Sequence, residues 1–147
     1  MVDIAQLQER LTGRALPGGE VIVPGYERWI SHDAWCSPPL EQDVLHPAWV
    51  FIAGLQGMGM PLAELMALAE ADMKAGVMWG EVVLEQHEVL RDDVEYRVTG
   101  RITDVRRQAG KKAGVFDVVT FRLEVLCPDG RLAGASTSSF IFVRRGQ

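Results

Sequence analysis

Cysteine and histidine are scarce in this sequence. Cys36 and Cys127 are its only thiols, 91 positions apart, a spacing that fits no zinc motif. The histidines are His32, His46 and His87, and none pairs at helical ligand spacing. A metal site is therefore not expected, and the two cysteines read as plain thiols. Basic residues are outnumbered, 15 to 20, for a formal charge of −5. That argues against nucleic acid as the main partner, because phosphate binding needs a basic face. Apolar runs stay well short of the roughly 20 residues of a membrane span. The start, MVDIAQLQERL, carries acids where a secretion signal carries bases. The expectation is no membrane insertion and a cytoplasmic location.

What is present is ordinary for a globular protein: 48% hydrophobic and 24% charged over 147 residues. This length fits one domain, 1–147. The clearest helical period lies in Met60–Ala75, where Leu62, Leu65, Met66, Ala69 and Met73 share a stripe. Pro61 suits a first helical position and Gly76 a left-handed stop. Shorter helices are expected over 3–12, with Ile4, Leu7 and Leu11 on one side, and over 26–35, with Tyr26, Trp29 and Ile30 together. Val21–Val23 reads as a short strand. After Gly76 come four strand candidates: Gly80–Glu88, Val94–Arg106, Gly114–Leu126 and Leu132–Val143. Their links, LRDD, QAGKKAG and CPDGR, predict an antiparallel meander. The fold class is α+β, a sheet wrapped on one helix, with Met60–Ala75 as that helix.

Before the helix, Pro38, Pro39 and Pro47 break any regular structure, yet the stretch holds Glu41, Asp43 and His46 among apolar neighbours. One short strand, a helix and four long strands look like the hot-dog fold. From His46 through the helix to GEVVLEQHEVLRDDVEYRVTGRITDVRRQAGKKAG and the Asp129-Gly130 turn, the chain resembles the MaoC-like hydratases and dehydratases, in particular their N-terminal dehydratase-like branch. The resemblance covers about residues 12–143. The family's bend R-P-L/V-x-x-G-D reads here Val89-Leu90-Arg91-Asp92-Asp93, without the Pro or Gly.

The resemblance implies hydration of an enoyl thioester, or the reverse dehydration, on a coenzyme A or carrier-protein arm. It also implies a homodimer or hot-dog heterodimer with sites between protomers. The family's loop motif is Asp-x-Asn-Pro-x-His. His46 carries over as its histidine. Glu41 stands five positions before it, where the family has Asp; Asp43 has the family's residue type at the wrong spacing. A histidine and a carboxylate can share the proton work on one water. Backbone N–H groups of Gly57-Met58-Gly59, before a helix, would meet the oxygen that gains charge. No cofactor is required. Trp79 stands where the family often has His, and packs or shapes the pocket. Arg106, Arg107, Lys111 and Lys112 form either a phosphate clamp or a solvated hairpin tip.

Each residue also has a structural reading. His46 serves as a cap of the segment that follows, Glu41 and Asp43 as solvated loop acids, and the glycines as close helix–sheet contacts. His32 and Asp33 stand apart as a second acid–base pair. Three functions stay open: a hydratase or dehydratase, a non-catalytic subunit completing a partner, or a hot-dog thioesterase, dehydratase or cyclase for another small molecule.

Overall fold

The computed structural model describes residues 2–144. Five strands form one antiparallel sheet: β1 (Gly19–Ile22), β2 (Val77–Gln86), β3 (Glu95–Gly110), β4 (Gly114–Leu126) and β5 (Leu132–Val143), in the order β1-β3-β4-β5-β2. Four helices accompany it: α1 (Ile4–Leu11), α2 (Gly25–Ala34), α3 (Trp49–Gly57) and α4 (Leu62–Leu68). This is the hot-dog arrangement expected from the sequence, and β4 and β5 have the expected bounds.

The central helix is not the expected one. Met60–Ala75 holds only the seven residues of α4, which ends where Glu70 takes φ 50°. Leu65, Met66 and Ala69 are buried as the stripe predicts, but Met73 is 56% exposed. The helix that packs on β1, β3, β4, β5 and β2 is α3. Its sequence, WVFIAGLQG, is apolar all round, so it has no amphipathic period to find; an enclosed helix needs none. It rides close to the sheet because glycines leave room on both sides. A methyl at Gly57 would collide with the Val98 side chain, and one at Gly134 would stand 3.0 Å from Val50.

The meander is also corrected at its first link. The β3–β4 and β4–β5 hairpins form, but β2 pairs with β5 and not with β3. Residues 87–94 instead cross one end of the sheet. They hydrogen-bond to Ala133 at the β5 side, to Leu45 midway, and to Val23 near β1. Short links favour hairpins, but edge position decides pairing here.

Alternation sorts the sheet. On β4, Val119, Phe121, Leu123 and Val125 face α3, while Thr120, Arg122 and Glu124 face away. Phe121, Leu123 and Phe140 are fully buried, each contributing about 1.5–3 kcal/mol by burial. Asp117 shares their parity and is fully buried too, held by Arg107 (2.6 and 2.9 Å) and Arg144 (2.8 Å). Among the described residues, no single helix is long and apolar enough to cross a membrane.

Candidate functional site

The site is assembled at the head of α3, by the strap 43–46 and by α2. Pro47 blocks a helix upstream, so α3 begins after it, with Val50 N–H donating to the Pro47 carbonyl. The strap is tied to the crossing segment by two backbone hydrogen bonds. Leu45 N–H donates to Leu90 and Asp92 N–H donates to Asp43, which together make an antiparallel bridge between Val44 and Arg91. Leu45 and Leu90 are buried beneath them. His46 is thereby fixed at the entrance to the helix, half-buried.

Both nitrogens that matter can be assigned from hydrogen bonds. His46 Nδ1 accepts the Ala48 N–H at 3.1 Å, so the imidazole caps α3. His32 Nε2 accepts the backbone N–H of His46 at 2.9 Å. A neutral imidazole has one acceptor nitrogen. In both rings it is already taken, so neutral His46 carries its proton on Nε2. That Nε2 has no hydrogen-bond partner among the described residues. As held, His46 is a hydrogen-bond donor; acting as a base would require giving up its Ala48 bond. Burial, then the Arg28 and His46 charges, hold His32 below the usual histidine range.

The rest of α2 is held by polar ties. Arg28 Nε donates to Asp92 at 2.5 Å, and Trp49 Nε1 donates to Ser31 Oγ at 3.0 Å. Trp35 lies edge-on to His46, centroids 5.6 Å apart, and tilted against Trp49 at 6.2 Å. No residue of α2 is fully buried. Its apolar stripe, Tyr26, Trp29 and Ile30, faces solvent, against the usual sense of an amphipathic helix. A shallow cleft of about 300 Å³ lies alongside, lined by Arg28, Trp29, His32, Asp33 and Ser37.

The two acids separate. Asp43, the better residue type, accepts on Oδ1 from the Arg91 guanidinium at 2.6 Å and sits at φ 70°. It makes no hydrogen bond to His46. Glu41 is exposed, and its carboxylate has no hydrogen-bond or ion-pair partner among the described residues. The Asp43 carboxylate is thus engaged by Arg91, while that of Glu41 is not.

Other expected site residues lie elsewhere. Gly57-Met58-Gly59 stands at the carbonyl end of α3, where the Met58 carbonyl accepts the Gly18 N–H. Met58 is buried in the core, and a methyl at Gly59 would strike the Gly18 carbonyl. The stretch thus closes α3 and leads into α4, whose N-cap is Pro61. Trp79 lies edge-on to Phe140 at 4.4 Å and to Phe51 at 5.3 Å, joining β2 to the core and to α3. Arg107 is withdrawn from any clamp by its two bonds to Asp117; Arg106 remains exposed along β3 and Lys112 in the β3–β4 turn.

Two features escape the sequence reading. Arg28 and Ser31 join α2 to the site, and no local pattern marks them. Asp117 had a signal: it falls on the apolar parity of β4, where a charge needs a partner.

No protein-family profile matches the chain, and no curated protein sequence is similar to it. Solved structures are similar in fold. One, the ChsH1-ChsH2 complex of Mycobacterium tuberculosis, superposes with TM-score 0.68 at 15% identity, over 98% of this chain and 91% of that one. A C-terminally truncated HadBC (3R-hydroxyacyl-ACP dehydratase) complex of the same organism gives 0.67 at 15%, over 95% and 98%. A MaoC-like dehydratase from Rhodospirillum rubrum gives 0.63 at 15%, over 96% and 98%. The chain thus has the hot-dog fold of the MaoC-like dehydratases.

Proposed function

We propose that this chain is a subunit of an acyl-thioester hydratase or dehydratase, working as half of a hot-dog dimer. The observation that carries the reading is His46 at the head of α3, with Nδ1 fixed by the Ala48 N–H and Nε2 unpartnered. A neutral Nε2–H there can donate to the thioester oxygen as it gains charge. It needs no reorganisation to do so, and one such donor accounts for about 10²–10³-fold in rate. The proton taken from the attacking water then falls to a carboxylate, with Glu41 the unengaged candidate and Asp43 available only on leaving Arg91. Arg106 and Lys112 are the proposed contacts for the phosphates of the thioester's arm.

The open edge of β2 supports the dimer. It is an end strand, and Met78, Val82, Val83 and Leu84 are 38–51% exposed on it. An apolar edge strand left in water invites pairing, and a second β2 would extend the sheet across the interface.

A second reading has its own support. Asp43 is bound to Arg91, and His46 is a donor rather than a base. A subunit of that kind would lack the acid–base couple and complete a catalytic partner.

The test is hydration of crotonyl-CoA and of a longer enoyl-CoA by the purified protein, followed by loss of the conjugated thioester absorbance. His46→Ala is expected to lower kcat by about 100-fold or more while the dimer persists. An unchanged rate in His46→Ala would remove the assignment. A folded wild-type dimer that turns over neither substrate would favour the silent subunit.

A further inference from the structure

We propose that His32 is a positioning residue for His46, and that protonating it releases α2 from the head of α3. The catalytic half of this inference rests on the function proposed above; the structural half does not.

The bond at issue uses the only lone pair a neutral imidazole offers. His32 Nε2 accepts the His46 N–H at 2.9 Å. Once that nitrogen is protonated, two N–H donors face each other. The bond is lost and replaced by repulsion, with no acceptor exchanged for it. His46 would then lose a restraint on its backbone, while its side chain keeps only the Ala48 cap. A donor placed on an oxyanion loses rate steeply when its position slackens.

The surroundings of His32 favour the neutral form. Arg28 on the same helix and His46 on the strap both oppose a cation, as burial does. The nearby acids give little help. Asp92, on the crossing segment, is spent on Arg28, and Asp33 is exposed on α2. The neutral state is thus built in at neutral pH and is lost on acidification.

The consequence is large because α2 has little else to hold it. It buries no residue fully, and its apolar side chains point outward. Three side-chain ties carry it: Arg28 to Asp92, Trp49 to Ser31, and His46 to His32. The last joins α2 directly to the strap that bears His46. Trp35 and Trp49, close to this junction, report on it.

The sign follows from the lowered folded value. The unfolded chain binds the proton more readily, so the bond's contribution is full above the ordinary histidine value of about 6.5. It is lost as pH falls through the folded value.

The experiment compares wild type, His32→Gln and His32→Phe by tryptophan fluorescence, near-UV circular dichroism and the His46 amide resonance, from pH 8 to pH 5. Glutamine keeps an acceptor oxygen and does not titrate. Wild type is expected to show one transition below pH 6.5, with far-UV signal retained. His32→Gln is expected to hold the neutral-pH spectrum throughout. His32→Phe is expected to show the acid-form spectrum already at pH 8. With an active thioester, His32→Phe should lower kcat about 10-fold or more with KM within about 2-fold, and His32→Gln should restore kcat. A transition in His32→Gln matching wild type, or a His46 amide unmoved in His32→Phe, would overturn the proposal. If no thioester is turned over, the function fails while the spectra still decide the latch.

Discussion

The molecule holds charge in two opposite ways at two places. At the β4 start, Asp117 is sealed from water and bonded on both oxygens by Arg107 and Arg144. Arg144 reaches on to the carbonyls of Ala69 and Glu70, fastening the end of α4 to the sheet. Every polar group there has a partner. Around α2 many polar groups are half-exposed, His46 Nε2 and His32 Nδ1 have no hydrogen-bond partner among the described residues, and Trp29 and Trp35 face solvent. The first region is a closed knot, whose groups are fully used by the fold. The second keeps bonding capacity and apolar surface in reserve, as a binding region must.

The widest effect expected is at the knot. Asp117→Ala leaves two arginines at a buried point without their counter-charge, and should cost about 3–5 kcal/mol in denaturant unfolding. The cost should depend on pH with a definite sign. Burial by itself would raise the Asp117 pKa. The bonds and charges of Arg107 and Arg144 outweigh burial and hold it below the ordinary carboxylate value. Its contribution is therefore full above about pH 3.9 and disappears as pH falls through the lower folded value. Wild type and Asp117→Asn should thus converge in stability in strong acid. A gap that persists there would mean the asparagine packs badly, and that charge is not the issue.

This contrast also separates what is readable in the sequence from what is not. Asp117 is legible by parity, since it stands in step with Val119, Phe121 and Leu123. The same alternation marks β4, and the expected bounds of β4 and β5 match the strands to the residue. The central helix is not legible in this way. Its apolar residues surround it, and period-based reading favours the more amphipathic α4 stretch, which only half forms. The path of β2 is set by pairing with β5, beyond two intervening strands, which no local turn encodes. At the site, His46 is visible through its setting among prolines. The tie from His32 is not, because a backbone N–H as partner leaves no trace in residue types. Asp43 and Glu41 are both visible, but the engagement of Asp43 by Arg91, 48 residues on, is not.

The next prediction tests whether the reserved surface is for a partner. Leu84 is 43% exposed on the β2 edge, and it is directly opposite Ser136 on the helix-facing side. Leu84→Asp should weaken dimerisation by about 100-fold in sedimentation, while the monomer keeps its circular dichroism spectrum. The same change in a residue with no interface role should stay within about 0.5 kcal/mol. Unaltered dimerisation would move the interface elsewhere, with the outward face of α2 the next surface to test.

The smallest effect lies between the two regions and has the opposite sign. Ser136 and Ser138 are buried on the helix-facing side of β5, and neither hydroxyl has a partner. In register, Ser138 lies between Val82 and Phe121, and Ser136 between Leu84 and Leu123. Alanine would fit both places and remove a polar group that costs roughly 1–3 kcal/mol when left unbonded. The loss of one well-packed oxygen offsets part of this, so Ser138→Ala should raise stability by up to about 1 kcal/mol in denaturant melts. A loss of 1 kcal/mol or more would instead reveal an ordered water bonded to Ser138. The seam between the closed knot and the open site would then be wet, and a polar path would run beneath α3.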